Sequence, residues 1–243
     1  MSNIQKYFPE KSQSGNAMIY VLVVVALFAA LSFVLSRQND ASEAGGISNE
    51  QLEIYAGTIQ QAAAQLKQSV EQMTFTGTAV ADLNFVTPDD ASFNVADPPP
   101  APAHGNKVFH PSGGGVVLPR IPDDAIHEPA PNPSGLPGRW YIGRFSNVEW
   151  TPSAAEDVVL TAHEIKQAVC EKINFKLTGS TAIPVLTDPV NEVLIDEAAA
   201  GSSATSNIDF TSAECAGCFG KPSLCVKDSV SASWSFYSII AAE

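Results

Sequence analysis

The chain is poor in basic residues, with 13 Lys and Arg against 26 Asp and Glu in 243 residues and a formal net charge of −13. The few basic residues are scattered along the sequence and form no basic run. Nucleic acids and anionic lipid headgroups attract proteins through clustered positive charge. We therefore expect no nucleic acid to bind this chain through a basic patch.

Sequence motifs for catalysis are also lacking. There is no Gly-x-Ser-x-Gly and no His-Glu-x-x-His, and the glycine triplet 113–115 is not followed by the Lys-Ser or Lys-Thr of a phosphate-binding loop. His104, His110 and His127 fall in a Pro/Gly-rich segment, and His163 falls in a predicted helix. A loop metal site is the alternative to simple solvation of these side chains. The sequence predicts a protein that is not an enzyme.

One long apolar run is present near the start of the chain. Ala17 to Leu35 is 19 residues without a charge, and only Tyr20 and Ser32 in it are polar. As a helix this run spans about 28 Å, close to the thickness of a bilayer's hydrocarbon core. Basic residues precede the run and acidic residues dominate after it, which favours an inside N-terminus and an outside acidic domain.

The start of the apolar run distinguishes three kinds of segment. A cleaved secretory signal has its cleavage site after the apolar core, and the residues 30–32, Ala-Leu-Ser, fit that pattern. A plain signal-anchor needs no cleavage site. Here, however, the polar leader ends at Gly15, and the apolar run begins one residue later, after Asn16. A candidate cleavage site therefore lies before the apolar run, and its use would leave the helix on the mature protein.

This layout resembles the type IV pilin and pseudopilin family, in which a prepilin peptidase cuts after a glycine and the apolar helix is retained. The resemblance implies a leader at 1–15, with cleavage between Gly15 and Asn16, and a membrane and assembly helix at 16–37. The family usually has glutamate at the fifth mature position, whereas this chain has Tyr20 there. That departure indicates a minor or tip-type subunit, a divergent filament or no filament. The residues expected to form the assembly helix include Ala17, Met18, Ile19, Tyr20, Val21, Leu22, Leu27, Phe28, Leu31 and Phe33.

The resemblance also implies partners and a location. The chain would self-associate into a helical filament after processing by a prepilin peptidase and transfer through an inner-membrane assembly platform. Before assembly its helix would lie in membrane lipid, as a single inner-membrane span with an extracytoplasmic C-terminal domain. Two alternatives stay open: an anchored periplasmic protein that binds a partner without polymerising, and a secreted enzyme or adhesin.

The remaining sequence divides into a polar hinge at 38–48 and an extracytoplasmic domain at 49–243, which contains a Pro/Gly-rich loop at 98–138. Ser48 and Gln51 form a capping-box pattern before a helix predicted over 49–73. The apolar residues of this helix recur every three or four positions and draw one stripe, which is typical of a helix packed on a sheet or on a neighbouring helix. The stripe consists of Leu52, Tyr55, Ile59, Ala62, Leu66, Val70 and Met73.

Strands and one further helix are predicted in the second half. The segment 139–150 is rich in aromatic and β-branched residues and predicts a strand. Thr161 and Glu164 form a capping-box pattern that predicts a helix ending at Gly179. Short strands are predicted at 185–186 and 193–195, and a terminal strand in "SVSASWSFYSII". The fold class is therefore α+β: a long apolar helix, then an amphipathic helix on an antiparallel sheet, with a second inserted helix and disulfides.

All four cysteines follow the apolar run, as suits an oxidising compartment. Four cysteines allow three pairings, and we expect Cys170–Cys218 with Cys215–Cys225. Zinc bound by these sulfurs, and a redox role for the Cys-Ala-Gly-Cys motif, are the alternatives.

An acidic segment near residue 190 is the one candidate calcium site. Pseudopilins sometimes bind calcium through acidic loops, but the spacing here matches no EF-hand, and charge clusters are usually solvated. The sequence thus predicts no cofactor, with calcium as the alternative. The carboxylates are Asp188, Glu192, Asp196 and Glu197.

Overall fold

The structure is a computed structural model that describes residues 19–30, 32, 47–127, 140–195, 207–231 and 233–243. The chain divides into two compact units at Ser48. In the first unit, residues 19–30 form a helix, α1, whose side chains are all exposed. Within the ranges given above, none of the helices has the length and apolarity needed to cross a membrane.

The second unit is built on a four-stranded antiparallel sheet. The strands are β1 (Trp140–Ser146), β2 (Asp157–Ile165), β3 (Ser223–Lys227) and β4 (Trp234–Ala241), in the spatial order β1-β2-β4-β3. All three strand pairs are antiparallel. With its helices, this sheet makes the unit an α+β domain, as the sequence predicts.

Two helices pack on this sheet. Helix α2 (Asn49–Phe75) lies against β4, and α3 (Gln167–Thr178) lies against β3 and α2. The carboxylate of Glu53 in α2 forms ion pairs with the ammonium groups of Lys172 and Lys176 in α3, with O···N distances of 2.5 and 2.7 Å. The predicted apolar stripe of α2 is confirmed, apart from Leu52, which is half-buried. Each large aliphatic side chain buried in this stripe stabilises the fold by about 1.5–3 kcal/mol. The buried residues of α2 are Tyr55, Ala56, Ile59, Ala62, Ala63, Leu66, Val70 and Met73.

The other face of the sheet is covered by the chain between β2 and β3 that follows α3. This part includes the short helix α4 (Val190–Val193) and the segment around Phe210. Leu224 and Val226 belong to this apolar cluster, whereas Cys225 between them is bonded to Cys170 of α3. Because side chains alternate along a strand, the helices α2 and α3 and this cluster lie on opposite faces of the sheet.

The outer edge of β3 is paired at Lys227 with the backbone of Pro184 and Leu186, and at Cys225 with a side chain. The Asn174 amide accepts a hydrogen bond from the Cys225 N–H at 2.8 Å and donates one to the Cys225 carbonyl at 3.0 Å. Asn174 is fully buried on α3, and it also donates to the Ala182 carbonyl at 2.9 Å. An unpaired strand edge invites another chain to pair with it, and these hydrogen bonds leave no free backbone group at Cys225 for such pairing.

The predicted start of the second helix is wrong. Thr161 and Glu164 lie in β2, and α3 begins only at Gln167 after the cap residue Lys166. Thr161 is the middle of a central strand, paired with Tyr141 on one side and with Tyr237 on the other. The predicted end is confirmed: Gly179 follows α3 with φ of 76° and donates its N–H to the Phe175 carbonyl, a C-cap that favours glycine.

Two other strand predictions are also corrected. The segment 193–195 is not a strand, because Val193 ends helix α4. The terminal strand starts only at Trp234, and Val230, near the start of the segment predicted as a strand, is 73% exposed. Both faces of β4 are covered, so the residues between its two ends are all buried.

The described part of the Pro/Gly-rich loop packs on the domain. The N–H of Val116 donates a hydrogen bond to the Val108 carbonyl at 3.1 Å, and Asn84 and Lys107 form a β-bridge. Lys107 is buried, and its ammonium donates to the carbonyls of Ser92 and Phe93 at 2.7 and 2.9 Å and to that of Val95. Hydrogen bonds to a charged donor are the stronger ones, so this ammonium fixes the loop 92–95.

Candidate functional site

The predicted assembly helix is described in part. The large apolar side chains of α1 are exposed, from 51% for Val23 to 73% for Phe28. An apolar surface of this kind is typical of a helix that contacts lipid or other helices. The predicted residues within α1 are Ile19, Tyr20, Val21, Leu22, Leu27 and Phe28. Those outside the described residues are Gly15, Asn16, Ala17, Met18, Leu31 and Phe33.

The cysteines form two disulfides, and the predicted pairing of Cys170 with Cys218 and Cys215 with Cys225 is wrong. The structure joins Cys170 to Cys225, with Cα atoms 5.4 Å apart, and Cys215 to Cys218, with Cα atoms 5.2 Å apart. Both distances suit a disulfide. The reason is that α3 runs along β3, so Cys170 lies opposite Cys225. The zinc alternative required the sulfurs in one site, whereas the structure holds them as two separate pairs.

The two cysteines of the Cys-Ala-Gly-Cys motif are buried, whereas Ala216 and Gly217 between them are exposed. Cys215 is 1% exposed and Cys218 is fully buried. Gly217 between them lies so close to Pro184 that an added Cβ would come within 2.9 Å of the proline ring. A redox-active pair presents an accessible sulfur to its substrate. This geometry therefore indicates a structural disulfide that holds the turn against Pro184.

The loop histidines are only partly brought together. The rings of His104 and His110 stack with centroids 4.1 Å apart, while His127 lies edge-on to Trp234 at 5.4 Å. Burial, with smaller contributions from His104 and Lys107, lowers the pKa of His110. Its Nδ1 accepts the Ser112 N–H at 3.1 Å, which requires the neutral ring.

His163, predicted in a helix, is instead buried in β2, with Nδ1 2.9 Å from the Ser235 hydroxyl. Across the part of the chain that the structure describes, no group of three or more His, Cys, Asp or Glu is placed to hold a metal ion.

The acidic segment near residue 190 is described only up to Ile195, so Asp196 and Glu197 lie outside it. The carboxylate that organises this region is Asp228, which the sequence analysis did not single out. Its Oδ2 accepts the Val190 N–H at 2.9 Å, and its Oδ1 accepts those of Val230 and Ser231 at 2.6 and 2.8 Å. Three backbone donors make Asp228 a structural residue that joins α4 to the turn before β4.

Asp157 is a second buried carboxylate that sequence reasoning missed. Its Oδ2 accepts the Val148 N–H at 2.9 Å and the Thr151 hydroxyl at 2.8 Å, while its Oδ1 is buried without a partner among the described residues. Burial raises the pKa of Asp157, although these two donors oppose the rise. This carboxylate, at the first residue of β2, has hydrogen bonds to only one of its two oxygens among the described residues, so we expect it to make the stability of the domain depend on pH.

The substitution Asp157→Asn should stabilise the domain increasingly as the pH rises. Between the ordinary carboxyl pKa of about 4 and the raised value, the unfolded chain has released its proton while the folded chain keeps it. The free energy of unfolding therefore falls with rising pH in the wild type, and the asparagine removes this loss. Unfolding midpoints measured between about pH 3.5 and pH 7 should diverge in favour of the variant. The exposed Asp89→Asn is the control, and a difference independent of pH would refute this account.

Two adjoining cavities, with volumes of about 380 and 310 Å³, lie along β4: residues of α2 and α3 line the larger one, and residues 150–152, Gly220 and Pro222 line the smaller one. Lys67, Pro222 and Ile239 line both of them, and Trp150 lines the smaller one. The sequence gives no local signal for this site, because α2, β3 and β4 are brought together only by folding.

Comparisons with protein-family models, with curated proteins and with solved structures found no match to this chain.

Proposed function

We propose that this chain is a structural, non-catalytic subunit of a type IV pilus-like or pseudopilus-like filament, assembled through its N-terminal hydrophobic helix. The observation that carries the proposal is the exposed apolar helix α1, in a run of sequence that starts just after Gly15. A helix that is apolar on all sides needs lipid or other helices around it. A filament core supplies the second of these environments.

The physical basis of assembly would be an exchange of lipid contacts for helix contacts. Before assembly the helix lies in the inner membrane, where a prepilin peptidase removes residues 1–15 and Asn16 becomes the N-terminus. Helices of many copies then pack together through van der Waals contacts, because lipid and apolar side chains are similar in polarity. An assembly platform in the inner membrane would add the copies, and the acidic domain would coat the extracellular filament.

The second unit supports this proposal as a rigid coat. Helix α2 is fixed on the sheet by its buried stripe and by the ion pairs of Glu53 with Lys172 and Lys176. Two disulfides hold α3 to β3 and close the turn at Cys215. Covalent cross-links of this kind suit a protein that works in an oxidising extracellular medium.

Tyr20 favours one alternative function. It stands where the family usually has a glutamate that pairs with a neighbour's terminal amine, and a tyrosine supplies no such charge. A single-pass inner-membrane protein, whose periplasmic domain binds a partner without polymerising, has no need of that glutamate. If the chain does polymerise, Tyr20 is more consistent with a minor or tip subunit than with a major one.

The filament proposal is tested by where the chain is found. Cells expressing the full chain are sheared, and the released filaments are examined by electron microscopy with labelled antibodies against the 49–243 domain. We expect label along or at the tips of filaments, and the same label lost when the apolar helix carries Val24→Asp. A chain that stays entirely in the inner membrane would instead support the anchored protein.

A further inference from the structure

The face of α2 that points away from the sheet carries a second row of regularly spaced residues, the outward stripe. Its members follow one another in alternating steps of four and three, which is the heptad spacing of helices that pair along their length. All of their side chains are exposed except that of Thr58, which is half-buried. The outward stripe consists of Ile54, Thr58, Gln61, Gln65, Gln68, Gln72 and Phe75.

The outward stripe has large apolar side chains at its ends and amides between them. Ile54 is 62% exposed and Phe75 is 91% exposed. No residue of the stripe is charged, although the whole chain carries a formal net charge of −13. The side chains of its four glutamines make no hydrogen bond within the part of the chain that the structure describes. A second helix laid along this stripe would cover both apolar ends and pair the amides.

The charges around the outward stripe suit a second copy of this chain as that partner. Two copies of so acidic a protein repel each other wherever their carboxylates meet. Among the positions that flank the stripe between its two ends, only Glu71 is charged, and in a parallel pair the two Glu71 side chains lie on opposite sides of the contact. Two α2 helices can therefore meet without bringing like charges together. The other flanking residues are Tyr55, Gly57, Ala62, Ala64 and Ser69.

The size of the outward stripe favours pairing in a membrane. Ile54 and Phe75 lie about 32 Å apart along the helix, so a contact about 10 Å wide buries roughly 600 Å² over two copies. Stable interfaces bury at least about 1,200 Å², so this contact is weak in free solution. Copies whose α1 helices lie in one bilayer meet at a high effective concentration and with the same orientation, which favours a parallel pair.

We propose that α2 pairs in parallel and in register with α2 of a second copy, through the outward stripe, while both chains are anchored in one membrane. The glutamine amides hydrogen-bond across the contact, and polar side chains at such positions fix the register of paired helices. Ile54 and Phe75 each pack on their counterparts and close the two ends. This inference rests on the proposed insertion of α1 in the membrane and not on polymerisation.

Oxidative cross-linking of single-cysteine variants of the full chain, in carbonate-washed membranes, tests the pair. The four native cysteines are already joined in disulfides. We expect Gln65→Cys to give a linked dimer, and the control Lys67→Cys, exposed but off the stripe, to react at least about tenfold more slowly. Thr58→Cys and Gln72→Cys should each link to themselves. Mixing these two variants should give no mixed dimer, because their positions are about 21 Å apart in a parallel pair.

A charge placed at one apolar end tests the outward stripe itself. Phe75→Glu should slow the cross-linking of Gln65→Cys at least about tenfold, because an apolar contact is replaced by two like charges. Since Phe75 is 91% exposed, the unfolding midpoint should not change. The control Val117→Glu, at a side chain that is 82% exposed and outside the stripe, should alter neither measurement.

Three results would overturn the proposal. They are equal cross-linking of Gln65→Cys and Lys67→Cys, a mixed dimer of Thr58→Cys with Gln72→Cys, which would show an antiparallel pair, and loss of the whole chain from the membrane in the carbonate wash. Cross-linking as expected in cells that form no filament would refute the filament and leave this pair in place.

Discussion

Replacing Cys170 and Cys225 together by alanine is expected to lower the free energy of unfolding by about 4 kcal/mol. This disulfide closes a loop between residues 55 apart in sequence, and opening it restores the chain entropy of the unfolded state. Chemical denaturation of the 49–243 unit within the full chain measures the loss. In thermal unfolding, the midpoint temperature should fall by roughly 8–16 °C, since a domain of this size loses about 2–4 °C per kcal/mol.

The second disulfide provides the matched control. Cys215 and Cys218 are three residues apart, so the same chain-entropy argument gives only about 2 kcal/mol for replacing this pair by alanine. Under the predicted pairing, each double replacement would break both bridges, so the two losses would be similar. A clearly larger loss for Cys170 and Cys225 therefore supports the pairing in the structure. Mapping of peptides from the unreduced chain should find Cys170 linked to Cys225. A Cys170–Cys218 peptide would show that this part of the fold is wrong.

The substitution Gly15→Val is expected to abolish processing at the N-terminus. If a prepilin-type peptidase cuts after Gly15, a branched side chain in its place should block access to the bond. The chain would keep residues 1–15, remain in the membrane fraction and be absent from sheared filaments. The loss should be nearly complete, since an unprocessed helix carries a charged leader that a filament core cannot accommodate.

Ser14→Ala is the matched control for this substitution, because it changes the neighbouring residue and leaves the glycine. It should be processed like the wild type, as seen in the intact mass of the chain. If the Gly15→Val variant were processed like the wild type, the chain would not be cut after Gly15, and the predicted cleavage site would be wrong.

Features set by local sequence could be predicted well. The apolar residues of α2 recur with helical spacing, so the burial of Ile59, Leu66 and Val70 follows from the sequence alone. Gly179 ends α3 because glycine adopts the left-handed conformation without cost. The α+β class also followed from the order of the elements.

Features set by tertiary packing could not be predicted. Thr161 and Glu164 form a capping pattern, but pairing with Tyr141 and Tyr237 on both sides of β2 outweighs that local preference. The correct partner of Cys170 depends on how α3 lies along β3, which no spacing in the sequence reveals. Lys67 and Trp150 meet at one cavity for the same reason: their elements are adjacent only in the fold.

The bond after Gly15 is the point on which the functional account depends, and the N-terminus of the mature chain tests it most directly. The full chain is expressed in a Gram-negative host that has a prepilin peptidase, and its N-terminal peptide is sequenced by mass spectrometry from membrane and sheared fractions. The account predicts a chain that begins at Asn16 in both fractions. An intact Met1, as in an anchored protein, or a start near Phe33, as in a secreted one, would contradict it.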